Sequence, residues 1–193
     1  MPRIAVILTS TRTERFADRP AVWVADHLRR EGFDVDVIDM RDHDLPSFDA
    51  PAPLYTPRQY ATEPIAELGR RVDAADGFVI LTGEYNHGYT GVFKNALDHF
   101  YVEWDRKPVA FVGWGNVGGA RAVEQLRTVS IELGMAPVRP AVHILPEVLV
   151  PAMTAESYDP VLFSTLDPKL NALVAELLWW TTALQSARAA VAA

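Results

Sequence analysis

Five short strand-like runs alternate with five helix-like segments along this chain, and that alternation limits the fold more than any other feature. The first run, "RIAVILTS" (3–10), is β-branched and shows no polar alternation, as expected of a strand covered on both faces. "PAVWVADHLRREG" (20–32) follows with Ala21, Val24, Ala25 and Leu28 at helical spacing and Gly32 as a stop. "FDVDVIDM" (33–40) alternates apolar and acidic residues, which suits a strand near a sheet edge. The rhythm repeats: helix "EPIAELGRRVDAAD" (63–76), strand "GFVILTG" (77–83), helix "GVFKNALDHFYVEW" (91–104), strand "RKPVAFVGWG" (106–115). Helix "GGARAVEQLRTVSIELGM" (118–135) and strand "VRPAVHIL" (138–145) complete it. A loop with Pro146, Pro151 and Pro160 is predicted to lead into a C-terminal helix. Such a β–α succession gives a parallel sheet with helices on both faces, because each crossover must lie over the sheet.

The 193 residues suit one domain spanning 1–193. There is no cysteine, which removes disulfides, thiolate metal sites and cysteine nucleophiles together. A net charge of -7 disfavours nucleic acid and anionic membrane as partners. The terminus "MPRIAVILTSTR" does not fit a secretory signal, and Asn171, Glu176, Gln185 and Arg188 interrupt the last helix, so neither export nor a membrane span is expected. The expected location is cytoplasmic. The histidines have no metal-ligand spacing. The Pro-rich connection "LPSFDAPAPLYTPRQY" (45–60) reads as a binding or interface loop.

In an open parallel sheet, ligands bind beyond the carboxyl ends of the strands, near the switch in strand order. Three loops there are unusual. "TSTRTERFADRP" (9–20) sets Thr9, Ser10, Thr11 and Thr13 beside Arg12 and Arg15, just before a helix. Free helical N–H groups favour an anion, and arginine grips phosphate in a bidentate fork. Hydroxyls before a helix are also ordinary caps. "GEYNHG" (83–88) offers two glycines for close approach of a flat ligand, an aromatic face at Tyr85 and an amide at Asn86. Thr90 explains itself as a helix cap; the residues before it do not. "GWGNVGG" matches G-x-G-x-x-G through Gly113, Gly115 and Gly118. A dinucleotide fingerprint is not the reading taken, because it follows the fourth strand and no acid closes the next one.

Together "LTSTRTERFADRPAVWV", "GEYNHGYTGVFKNALDHF" and "GWGNVGGARAVEQLR" resemble the NADPH-dependent FMN reductase family, over roughly Ile4 to Leu145. The resemblance implies a flavodoxin-like three-layer α/β sandwich around a five-stranded parallel sheet. It implies bound FMN and NADPH or NADH as donor. It also implies two electrons passed by hydride transfer through FMN to a quinone, free flavin or similar flat acceptor. By the same resemblance Ser10, Arg12 and the amides of Arg15, Phe16 and Ala17 would hold the phosphate. Glu84, Tyr85, Asn86 and His87 would lie along the isoalloxazine, with Gly115, Asn116 and Gly118 closing over its pyrimidine end. Lys94 and Asn95 would hold the start of their helix. Thr9, Gly83 and Thr90 stand where the family usually has a glycine and two prolines. No side-chain nucleophile is required, so binding residues are expected rather than a catalytic acid or base. The family is commonly dimeric, which implies a homodimer or a dimer of dimers, with Phe100, Tyr101, Trp104 and the segment near Tyr55 as candidate surface. A one-electron flavodoxin-type carrier and a non-enzymatic binding module are the alternatives.

Overall fold

A computed structural model describes residues 1–192. Its parallel sheet runs in the order β2-β1-β3-β4-β5, with β1 at Arg3–Leu8, β2 at Asp34–Asp39, β3 at Gly77–Gly83, β4 at Pro108–Trp114 and β5 at Ala136–Ile144. That is the doubly wound, flavodoxin-like order, and it places the switch between β1 and β3. Helices α1 (Asp18–Arg30), α2 (Glu63–Ala74), α3 (Gly91–Asp98) and α4 (Ala120–Glu132) follow the strands. Two more, α5 (Pro146–Thr154) and α6 (Asp167–Ala192), follow β5.

The central strands divide their side chains between two cores. Ile4, Val6 and Leu8 of β1, with Val79 and Leu81 of β3, face α1 and α6. Ala5, Ile7, Phe78 and Ile80 face α2 and α3. Both faces are therefore apolar, which is why these runs carry no alternation. β2 is an edge strand, as its alternation predicts.

Three elements differ from expectation. The helix read over 91–104 stops at Asp98. Phe100 and Trp104, each 1% exposed, turn into the core instead, with Trp104 edge-on to Phe78 at 4.9 Å. They are core residues and no candidate surface; burying two large rings outweighs a helical continuation. Residues 146–154, read as a loop from their prolines, form α5. Pro146 occupies the first turn, where its missing N–H is harmless, and burial of Val148 and Ala152 supports the helix through Pro151. β5 starts at Ala136 and tolerates Pro137 and Pro140 because it lies at the sheet edge, next to a register shift at Val109/Phe111.

Candidate functional site

The loops after β1 and β3 are laced together at the switch. Thr9 donates from both N and Oγ1 to Leu81 O, at 3.2 and 3.1 Å. Thr90 Oγ1 donates to Thr9 O at 2.8 Å and accepts from Phe93 N at 3.3 Å, capping α3 while tying the loops. Ser10 Oγ and Tyr85 Oη share a 2.8 Å hydrogen bond. Threonine at 9 and 90 thus supplies bonds that a glycine and a proline could not.

The two arginines of the first loop have different fates. Arg15 is buried, donating to Ser10 O at 2.7 Å and to both Asp39 oxygens at 2.5 Å, with Asp18 as a second acid. Its charge is neutralised inside the fold and is not on offer to a phosphate, contrary to the sequence reading. Burial pushes the Asp39 carboxyl up, but Arg15 and Arg41 more than offset this and hold it at about 2. Arg12 is exposed, pairs with no carboxylate among the described residues, and lies 6.0 Å from the centre of the Tyr85 ring. Ala17 caps α1 without a side-chain bond, and Asp18, the acid of the first turn, is drawn to Arg15, so the first N–H groups of the helix have no side-chain cap.

The second loop is a tight turn. Tyr85 N donates to Gly88 O at 2.8 Å and Gly88 N to Tyr85 O at 3.0 Å. Asn86 and His87 between them have φ of 49° and 68°, the sign pattern of a type I′ turn. The positive φ falls on these two residues and not on Gly83 or Gly88. A Cβ at Gly83 would lie 2.9 Å from Trp114 Nε1, so that glycine serves packing.

Helix α4 holds the turn through residues the sequence reading missed. Glu84 accepts from Arg121 N at 3.1 Å and Arg121 Nε at 2.6 Å. Burial raises the Glu84 carboxyl, and the Arg121 bonds outweigh that, leaving it below the ordinary carboxylate value. Arg121 Nη1 lies 2.9 Å from His87 Nε2. Because a guanidinium only donates, His87 must accept there and carry its proton on Nδ1. Gln125 Nε2 donates to His87 O at 3.0 Å. An arginine two residues beyond a glycine pair, facing a lone acid in the other loop, was the available signal.

In the third loop Gly115 (φ 141°) packs against Glu84, whose Cβ would lie 3.4 Å from an added methyl. Gly118 (φ 64°) packs on His143, whose Cβ would be 2.7 Å from an added methyl. Lys94 pairs with Asp98 at 2.7 Å, and Asn95 bonds Phe48 N and Pro46 O; they fasten the Pro-rich segment and the end of α3, not its start.

Between the three loops lies a cleft of about 230 Å³. Arg12, Arg15 and Phe16 line it from the first loop, Gly83 to Tyr85 from the second, Trp114 and Gly115 from the third. Leu149 and Met153 of α5 add a wall that no sequence reading predicted. Ser10 and Ala17 are buried immediately beside it. Asn86, His87 and Asn116 stand exposed outside this lining. The N–H groups at the start of α1, with Ser10 and Arg12, are donors suited to an anion, although Glu14 lines the same cleft, and Tyr85 and Gly115 border its other part. A wider apolar hollow of about 300 Å³ lies under the Pro-rich segment near Phe48 and Tyr60, away from the three loops. Among the described residues no three acidic or histidine side chains converge as metal ligands, and no helix is long and apolar enough to cross a membrane.

Residues 2–148 match the family described as NADPH-dependent FMN reductase. An NAD(P)H-dependent FMN reductase of Schizosaccharomyces pombe is 37% identical over 147 residues, covering 74% of each chain. An FMN-dependent NADPH-azoreductase of Staphylococcus saprophyticus is 26% identical over 63% of each. Among solved structures, the flavoenzyme FerB of Paracoccus denitrificans, an NAD(P)H:(acceptor) oxidoreductase, superposes with a TM-score of 0.69. It is 22% identical over 92% of this chain and 97% of that one, a likeness of fold.

Proposed function

The chain belongs to the NADPH-dependent FMN reductase family, and from that premise we propose that the three-loop cleft holds FMN and passes electrons to a quinone, free flavin or similar flat acceptor. That the protein is an FMN-dependent NAD(P)H oxidoreductase follows from its family. The acceptor, the site residues and the assembly are our reading. Bound FMN supplies the redox chemistry, taking two electrons from NAD(P)H and passing them on.

The protein's part is binding and orientation. The N–H groups of Arg15, Phe16 and Ala17, with Ser10 Oγ and Arg12, take the phosphate. Tyr85 flanks the ring, Glu84 and Gly115 border its polar edge, and Asn86, His87, Asn116 and Gly118 form the surrounding rim. Arg121 and Gln125 hold the turn so that its backbone keeps one shape. Leu54 and Tyr55, 48% and 81% exposed on the Pro-rich segment, support a homodimer through that face. Action in the cytoplasm is part of the same proposal.

One observation carries the reading: Arg12, which pairs with no carboxylate among the described residues, and the start of α1, which has no side-chain cap, meet the Tyr85 turn around one cleft. The test is a titration with FMN and with riboflavin, then turnover of NADPH with a naphthoquinone. FMN should bind more tightly than riboflavin and support turnover. A protein that takes up neither flavin would sink the proposal.

A further inference from the structure

The wall supplied by α5 begins where the family match ends, since that match stops at residue 148. On this helix Val148 and Ala152, four apart, are buried in the core, at 9% and 0% exposure. Leu149 and Met153, each one residue further on, line the cleft. The helix is fixed at its far end by Arg19, which donates to Ala155 O at 2.5 Å and Ser157 O at 2.8 Å. At its near end Pro146 sets the entry. Behind the wall Phe16 meets Trp114 edge to face at 5.6 Å. The cleft is therefore two-sided, with charged and hydroxyl groups from the first two loops on one side and thioether, alkyl and aromatic surface on the other.

We propose that Leu149 and Met153 are specificity-determining residues that select neutral, planar acceptors over anionic ones. This rests on FMN occupying the three-loop side of the cleft. A neutral aromatic ring loses little by leaving water against alkyl and thioether groups, and methionine adapts to rings of different outline. A sulfonate or carboxylate carried on that ring would be desolvated against these two side chains, neither of which can donate a hydrogen bond to it. Met153 is 54% exposed, so it lies at the mouth, where an acceptor arrives.

The test uses the FMN-loaded protein and two probes, a neutral naphthoquinone and its sulfonate. Binding of each to the oxidised protein is read without NADPH from the change in flavin absorbance, and kcat/KM is then measured with NADPH. Met153→Glu and Met153→Lys alter a half-exposed side chain and should leave the fold intact. Val150→Lys, on the same helix but outside the lining, reports any general effect of charge. The sulfonate-to-neutral affinity ratio should fall in Met153→Glu and rise in Met153→Lys, the two differing about tenfold. Val150→Lys should leave both the ratio and the FMN dissociation constant near wild type. Equal ratios in both Met153 variants would overturn the proposal, as would a matching shift in Val150→Lys. A change in FMN affinity in place of the ratio would assign the wall to the cofactor and overturn it too. Wild-type protein that takes up no FMN at all would remove the underlying reading first, a result seen before any acceptor is added.

Discussion

Ser10 Oγ and Tyr85 Oη lie 2.8 Å apart, joining residues 75 positions distant in the chain and closing the floor of the cleft. One hydroxyl sits in the loop after β1 and the other in the turn after β3, so under the proposed function this bond would couple the phosphate end of the site to its ring end. A serine hydroxyl can accept from the tyrosine and donate to a phosphate at once. Tyr85→Phe should weaken FMN by about 1 kcal/mol, a single neutral hydrogen bond. Ser10→Ala should weaken it more, and should affect riboflavin less than FMN. Equal losses for both ligands in Ser10→Ala would place the phosphate elsewhere.

The two arginines of the first loop should behave as different kinds of residue. Arg12→Ala removes an exposed charge and should weaken FMN by about 1.5–3 kcal/mol while leaving riboflavin binding and the melting temperature nearly unchanged. Arg15→Ala takes from Asp39 its buried partner while leaving Arg41, and should cost about 1.5–3 kcal/mol of stability. Thermal melts without ligand separate the two, and a stable Arg15→Ala protein would contradict this assignment.

Two buried charges predict opposite pH limbs. Asp39 is depressed from 3.8 to about 2 in the fold, so its stabilisation is full above the ordinary value and is lost as pH falls through about 2. That is worth about 2 kcal/mol, and Asp39→Asn should flatten the acid limb. Lys107 is 5% exposed, and burial lowers it from 10.5 to about 8, although it donates to Val72 O and Asp73 O at the end of α2. Between about pH 8 and 10.5 the folded state releases this proton while the unfolded chain keeps it, so stability should rise by about 3 kcal/mol. Denaturant midpoints of wild type and Lys107→Met across that range decide the point; parallel curves would refute it.

Arg121 is half exposed but holds Glu84, whose side chain is 7% exposed. Arg121→Ala should cost about 1–2 kcal/mol, because the carboxylate is left with less hydrogen bonding. The double variant with Glu84→Gln should recover part of the loss, and a double-mutant cycle measures the coupling. Additive losses would show that Arg121 does not hold the turn through Glu84.

Part of the local structure around the candidate site was legible because it depends on neighbouring residues. Thr90 as a cap, Ser10 and Arg12 before a helix, and Tyr85 in a turn are statements about neighbouring residues. The positive φ of Asn86 and His87 was not legible, since glycine is the usual bearer and two stood nearby. Arg15 misled for another reason: its acid, Asp39, comes from a different strand, and only the β1–β2 pairing brings them together.

The sequence by itself determined the order of strands and helices, because burial on both sheet faces demands unbroken apolar runs and each parallel pair demands a crossover. It also determined which loops lie at the binding edge. Tertiary structure decided what local pattern could not: that Phe100 and Trp104 leave the helix for the core, that α5 forms across its prolines to wall the cleft, and that Arg15 is buried against acids while Arg12 stays exposed. In each case burial of apolar surface or pairing of charge between distant segments outweighs the local preference, and neither can be read from spacing along the chain.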